Sequence, residues 1–136
     1  MYKRTLVPVV FDNEDGIAAA LAAAKVLKGA EGTVTLLHVV EDIPAYVAGH
    51  FPEGLPAAAR ATANEGLDRI AATAGYDVKT KVASGKASRS ILDEAETIGA
   101  DCIVIASHQP GLDDYLIGST AARVVRHAKC AVHVVR

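Results

Sequence analysis

The stretch ADCIVIASHQPGLDDYLIGST, residues 100–120, decides which fold is predicted for this chain. Its run CIVIA, residues 102–106, is continuous, apolar and rich in β-branched side chains, as is typical of a strand buried on both faces. Polar and turn-forming residues follow at positions 107–111. After Gly118 the apolar residues recur at helical spacing, so the sequence predicts a buried strand, a polar loop and then a helix.

The start of this helix has the chemistry of an anion site. Ser119 is expected to be the N-cap, and the small Gly118 lets another group approach the backbone closely. The first N–H groups of a helix lack intrahelical partners and carry a partial positive charge, which favours a phosphate. The hydroxyl and N–H groups of Ser107, Ser119 and Thr120 suit phosphate oxygens, and Ser119 also suits an accompanying Mg²⁺. No lysine follows Gly118, so the loop is not a Walker A motif.

Composition limits the class of protein. The chain has 136 residues, and one domain is predicted over residues 1–136. A net charge of -2 argues against a nucleic-acid or anionic-membrane surface. No apolar run reaches the ~18 residues that span a bilayer and no signal peptide is recognised, so a cytoplasmic protein without membrane insertion is expected. Cys102 and Cys130 lack C-x-x-C spacing, which predicts buried inert thiols over a disulfide or redox pair.

The rest of the chain alternates between strands and helices. Four more strands are predicted, at residues 5–10, 33–40, 77–82 and 131–136, and three more helices, at residues 16–27, 57–74 and 89–98. Asp12 or Asn13 is expected to cap the first of these helices, and Ser88 the third. This order predicts an α/β three-layer sandwich, in which ligands bind beyond the carboxyl ends of the strands. If the first strand lies beside the fourth, the ends of both border one crevice.

Other polar residues form no strong catalytic pattern. His38 and His133 lie in apolar strand runs and His127 lies near a helix end, so core or capping roles are expected. His108 and Asp113-Asp114 lie in the crevice loop, where a structural or solvated role competes with contact to a phosphate or a metal. A nucleophile elbow and a helical pair of histidines are absent from the sequence, so strong enzymatic chemistry is not favoured. Residues 41–56 are irregular and predict a surface excursion, either structural filler or a lid.

The segments LVPV, LLHVVED, IVIASH and GSTAARVVRHAKCAVHVVR resemble the universal stress protein family, and the likeness covers essentially the whole chain. The SHQP segment, residues 107–110, is similar to the family's subgroup with S-H-[RQ]-P after the fourth strand. The resemblance implies a five-stranded parallel sheet in the order 3-2-1-4-5, of the adenine-nucleotide alpha-hydrolase-like, Rossmann-like type. Family members that bind ATP carry G-x-x-G, nine residues and then G-S or G-T. Here Ala106 and Gln109 stand at the two glycines, and Val10 stands at the family's usual aspartate.

The resemblance also implies a site for an adenine nucleotide. Phosphates would lie on Gly118, Ser119 and Thr120, and adenine would meet the backbone of Val39. The full set of residues expected at the site is Pro8, Val9, Val10, Val39, Ala106, Ser107, His108, Gln109, Pro110, Gly118, Ser119 and Thr120. ATP is the expected ligand, with Mg²⁺ or Mn²⁺ on its phosphates and Ser119 as the protein's ligand to the ion.

Three functions stay open at this point. The first is a stress-associated regulatory protein that binds ATP or another adenine nucleotide and signals through a homodimer. The second is a slow ATPase or autophosphorylating enzyme, and the third is a nucleotide-free interaction module, which Val10, Ala106 and Gln109 favour.

The last strand is short, apolar and at an edge of the sheet, where an unpaired strand is prone to aggregation. The resemblance implies that it pairs with its twofold mate, giving a homodimer through Ala131, Val132, His133, Val134 and Val135. A further, unidentified protein partner is also expected.

Overall fold

The computed structural model describes residues 1–41, 56–107 and 117–136. The strands are β1 Arg4–Pro8, β2 Thr33–Glu41, β3 Lys79–Gly85, β4 Cys102–Ala106 and β5 Ala131–Val135. The helices are α1 Glu14–Leu27, α2 Ala57–Thr73, α3 Ala87–Ile98 and α4 Ser119–His127. These elements match the predicted ones to within a few residues at their ends. The predicted surface excursion lies outside the described residues for positions 42–55. None of the described helices is both long enough and apolar enough to cross a membrane.

The five strands form one parallel sheet in the order β3-β2-β1-β4-β5, which confirms the expected order. One core cluster, with Leu21 of α1 and Leu67 of α2, packs against one face of the sheet. The other cluster, with Ile91 of α3 and Val124 of α4, packs against the opposite face. Helices on both faces explain why β4 is apolar throughout, and the predicted three-layer α/β sandwich is confirmed.

The central strand β1 stops pairing before the outer strands do. Its register with β4 ends at Leu6↔Ile103, whereas β4 continues with β5 as far as Ala106↔Val135. Val9 N donates to Leu37 O of β2 at 2.8 Å, so residue 9 faces β2 and residue 8 faces β4. Residue 8 is a proline, which has no N–H for the next ladder bond to β4. The sheet therefore opens between β1 and β4 beyond this point, and we call this opening the β1–β4 gap.

The helix starts confirm one predicted cap and correct two. Asn13 caps α1, because its side chain accepts a hydrogen bond from Gly16 N at 3.1 Å. Ser119 was wrong as the cap of α4: Gly118 has the non-helical backbone of a cap (φ −59°, ψ 153°), and Ser119 is the first helical residue. The position of the cap is set by Gly118 N, which donates to Ser107 O at 2.9 Å. Ser88 was also wrong, because it is buried in the first turn of α3 and Lys86 is the cap residue.

Asp101 fixes the amino end of β1. Its carboxylate accepts hydrogen bonds from Lys3 N at 2.8 Å and from Arg4 N at 2.9 Å, and Asp101 N donates to Arg4 O at 2.9 Å. Burial by itself raises the pKa of this carboxyl group, but the N–H donors and the charge of Arg4 together outweigh it. The pKa of Asp101 therefore lies below its ordinary value of 3.8, and the fold favours the ionised form.

Replacing Asp101 by asparagine should lower the free energy of unfolding at neutral pH by about 1 kcal/mol, because charged acceptors for two N–H groups are lost. Since folding lowers the pKa, the contribution of Asp101 is complete above the unfolded-state pKa and is lost as pH falls through the folded-state pKa. Chemical denaturation of both proteins across this range measures the effect, with Asp77→Asn as the control at an exposed aspartate. A difference of the same size at all pH values would contradict this role.

Candidate functional site

A pocket of about 440 Å³ lies at the carboxyl ends of β1 and β4, directly over the β1–β4 gap. Its walls are formed by the first two turns of α1 and α3, by the first turn of α4 and by the end of β2. A volume of this size suits a small organic ligand. Most of the described lining residues are apolar, and the charged one among them is Glu41. A negatively charged ligand would therefore depend on backbone N–H groups and hydroxyls in this part of the wall.

The start of α4 points N–H groups of this kind at the pocket. The first hydrogen bond within the helix is donated by Ala122 N to Gly118 O at 2.9 Å. The N–H groups of Ser119, Thr120 and Ala121 precede it, and all three residues line the pocket. A side chain at position 118 would place its Cβ 3.1 Å from Ser107 O, closer than an ordinary contact. The glycine thus allows the close approach that holds the helix start against the end of β4.

Ser107 has a structural role that the sequence did not reveal. It lines the pocket, but its N–H donates to Val135 O at 2.9 Å and its hydroxyl donates to the same oxygen at 3.3 Å. Its own carbonyl accepts the bond from Gly118 N. The expectation that Ser107 N–H meets a phosphate is therefore corrected, because that donor is used within the fold. The hydroxyl oxygen keeps only its acceptor capacity, which suits a donor on a ligand better than a phosphate.

The end of β2 turns backbone groups toward the pocket at Val39. Leu37 O accepts the bond from Val9 N, so Leu37 faces β1, and Val39 faces the same side two residues later. The register between β1 and β2 ends at Pro8↔Leu37, so Val39 lies beyond the paired part of β1. Val39 also lines the pocket. Its N–H and C=O groups therefore face past the paired part of β1, at the border of the pocket, as an adjacent donor and acceptor.

The side chain of His38, next to Val39 on β2, contacts the backbone at the end of β1. Its Nδ1 lies 3.0 Å from Val9 O, and because a carbonyl only accepts hydrogen bonds, Nδ1 carries the proton and donates. The ring of Phe11 stacks on His38, with centroids 4.0 Å apart and planes inclined by 24°. His38 therefore has a structural role, as expected, and that role is a hydrogen bond to the end of β1 at the border of the pocket.

The predicted site residues are brought together where the structure describes them. Those that line the pocket are Pro8, Val9, Val10, Val39, Ala106, Ser107, Gly118, Ser119 and Thr120. His108, Gln109 and Pro110 lie outside the described residues. Sequence reasoning missed the walls contributed by α1 and α3, at Gly16, Ile17, Ala20, Ala87 and Ile91. The sequence did show an apolar stripe on each of these helices. Such a stripe indicates a buried face, but it does not tell residues that pack in the core from residues that line a pocket.

The described residues provide no evident metal cluster or activated thiol. Within residues 1–41, 56–107 and 117–136, no group of three or more His, Cys, Asp and Glu residues is placed to hold a metal ion. Both cysteines are free, and Cys102 is buried as predicted, whereas Cys130 is only partly buried. They belong to different core clusters, which pack against opposite faces of the sheet, and no disulfide joins them. Burial raises the pKa of Cys102 to about 11 and also raises that of Cys130, so both are neutral, weakly nucleophilic thiols.

The chain is similar in sequence and in fold to known proteins. The chain is 30% identical to Universal stress protein G of Shigella flexneri over 143 residues, covering 100% of both chains. Among solved structures, the hypothetical protein MJ0577 is 28% identical with a TM-score of 0.80, covering 99% of this chain and 96% of that one. Two more distant structures share the fold at 20% identity, with TM-scores of 0.65 and 0.67. They are a universal stress protein in complex with cAMP and one from Archaeoglobus fulgidus in complex with dAMP, covering 99% of this chain and 97% and 98% of theirs.

The sequence profile of the universal stress protein family matches residues 1–136, the full length of the chain. The match confirms the resemblance seen in the GST tail and the IVIASH strand. On this basis, the chain belongs to the universal stress protein family.

Proposed function

We propose that this protein is a stress-associated regulatory protein that binds an adenine nucleotide, with ATP as the expected form, in the pocket over the β1–β4 gap. The observation that carries the proposal is the position of the α4 start, whose three leading N–H groups lie at a pocket of about 440 Å³. The pocket joins a helix start suited to phosphate with a mostly apolar cleft suited to a base.

The phosphates would lie at the start of α4. The N–H groups of Ser119, Thr120 and Ala121 supply donors, and the helix dipole adds a partial positive charge. The hydroxyls of Ser119 and Thr120 supply two more donors from the same turn. A divalent cation, Mg²⁺ or Mn²⁺, would arrive with the phosphates, because the described residues offer no preformed cluster for it. Ser119 is the side chain proposed to contact that ion.

The adenine base would lie at the end of β2. Val39 offers its N–H to the acceptor N1 of adenine and its C=O to the exocyclic amino group. Hypoxanthine carries the opposite pattern at these two positions, so the backbone of Val39 would discriminate between the two bases. Leu37 and Ile91 supply apolar walls for the base. Two solved relatives of the same fold hold cAMP and dAMP, which supports an adenine nucleotide as the class of ligand.

Ser119→Asp tests the phosphate part of the proposal. The new carboxylate would occupy the helix N–H groups and repel the phosphates, so the Kd for ATP–Mg²⁺ should rise by about tenfold or more. Because an acidic residue favours the first turn of a helix, thermal stability should stay equal or increase. Isothermal titration calorimetry and thermal denaturation measure the two effects.

Two controls accompany this variant. Ser119→Ala keeps the backbone N–H groups but loses the hydroxyl proposed to meet the phosphates and the ion, so its affinity for ATP–Mg²⁺ should fall by less than that of Ser119→Asp. Adenosine has no phosphate, so its affinity should be the same for the wild-type protein and for Ser119→Asp. Absence of any calorimetric or thermal response of the wild-type protein to ATP–Mg²⁺ at millimolar concentration would contradict the proposed function.

We also propose a homodimer that forms through β5 and transmits the state of the pocket. β5 is an edge strand, paired with β4 on one side. Val135 faces β4, because Val135 O accepts from Ser107 N, so Val134 turns its N–H to the open edge. Ser107 connects the two regions, since it bonds both to Val135 and to Gly118 at the start of α4. Movement at the phosphate end would in this way reach the proposed dimer strand through two hydrogen bonds.

Val134→Pro removes the outward N–H while leaving the ladder with β4 intact, as prolines on edge strands do. The expected result is a folded monomer at micromolar concentrations where the wild-type protein is a dimer. Sedimentation velocity gives the mass, and far-ultraviolet circular dichroism checks the fold. Val134→Thr keeps the N–H and should remain a dimer. A monomeric wild-type protein would contradict the dimer, and an unchanged mass for Val134→Pro would contradict its location on β5.

A further inference from the structure

The carbonyl of Val9 is where the ladder between β1 and β2 is interrupted. In a parallel ladder the bond after Val9 N to Leu37 O would run from Val39 N to Val9 O. Val9 O instead accepts the proton on His38 Nδ1, at 3.0 Å. Among the described residues the bond from Val39 N to Val9 O is not formed. A side chain has thus replaced a backbone donor at this point of the sheet.

The ring of His38 is held in place for this contact. Phe11, which follows the end of β1, stacks on it with centroids 4.0 Å apart. Phe11 in turn lies over Gly66 of α2, where an added Cβ would come within 2.8 Å of Phe11 Cζ. A glycine inside a helix costs about 1 kcal/mol relative to alanine, and here it makes room for the aromatic ring. The stack limits the rotation of the imidazole ring and keeps Nδ1 directed at Val9 O.

We propose that His38 is a positioning residue of the nucleotide site. By occupying Val9 O, it prevents β1 from pairing with Val39 and keeps the N–H of Val39 unpaired for the base. The inference rests on the proposed function, because it assigns the base-specificity of that pocket to a residue outside its lining. His38 itself need not contact the ligand, since it acts through the backbone of Val9 and Val39.

The first test needs no ligand. Amide hydrogen exchange of the wild-type protein should show Val39 much less protected than Leu37, whose N–H lies within the ladder to β1. In His38→Phe the ring and its stack on Phe11 remain, but the donor is lost. Val39 N–H is then free to pair with Val9 O, so its protection should increase by about tenfold or more. Equal protection of Val39 and Leu37 in the wild-type protein would overturn the proposal even if His38→Phe fails to fold.

The second test compares two nucleotides. Wild-type protein should prefer ATP over ITP, and His38→Phe should lose about tenfold of that preference because the N–H that reads N1 is withdrawn. His38→Asn is the matched control, since its side-chain Nδ2 lies where Nδ1 of histidine does and can still donate to Val9 O. It should restore both the preference and the fast exchange of Val39. A purely structural role would weaken both nucleotides equally and leave the ratio unchanged.

The outcomes separate the two proposals. If the wild-type protein binds neither nucleotide, the proposed function fails and the inference falls with it, whatever the exchange data show. If wild-type protein binds ATP and His38→Phe keeps the same ratio of ATP to ITP affinity, only the role of His38 is overturned. Slow exchange of Val39 in His38→Asn would also overturn it, because the restored donor should free that amide again.

Discussion

The pocket depends on one constraint, which is that the central strand of the sheet is the first to stop pairing. β2 and β3 remain paired as far as Glu41↔Gly85, and β4 and β5 as far as Ala106↔Val135. β1 lies between these two pairs and ends at Pro8. Toward β4 the ladder lacks a donor because residue 8 is a proline, and toward β2 it lacks an acceptor because His38 occupies Val9 O. Two different chemical causes therefore open the same end of the sheet on both sides of one strand.

The architecture was readable from the sequence because periodicity and strand burial were strong signals. The run at residues 102–106 is apolar throughout because β4 is covered on both faces, and polar and apolar residues alternate at 77–82, beside and within the edge strand β3. A cap at Asp12 or Asn13 was also predictable, since either side chain can cap a helix with an acidic first turn, and the structure selects Asn13. These features depend on local sequence or on burial, and both directly determine which residue types occur at a position.

The details that were missed depend on tertiary contacts between residues far apart in the chain. Ser119 has the residue type of a cap, yet a bond between Gly118 and Ser107 moves the cap one position earlier. Ser107 has the residue type of a phosphate ligand, yet its donors are used by Val135, which is 28 residues away. The pairing of His38 with Val9 spans 29 residues and leaves no periodic signal. In each case the polar group has several possible hydrogen-bond partners in the sequence, and the partner is decided only by the folded structure.

The charge of the described lining decides how such a pocket attracts an anion. Glu41 is the charged residue among the described lining residues, which include no lysine or arginine, so this part of the wall adds no positive side-chain charge toward a nucleotide. In this part of the wall, binding of the proposed ligand would depend on N–H groups that act over hydrogen-bond distances, where a shift of the helix start would remove most of the interaction. The position of α4 is fixed by two hydrogen bonds: Gly118 N donates to Ser107 O at 2.9 Å, and Ser107 N donates in turn to Val135 O of the last strand. In the described part of the wall, which has no cationic side chain, fixed backbone N–H groups would take the place of charged side chains as donors to an anion.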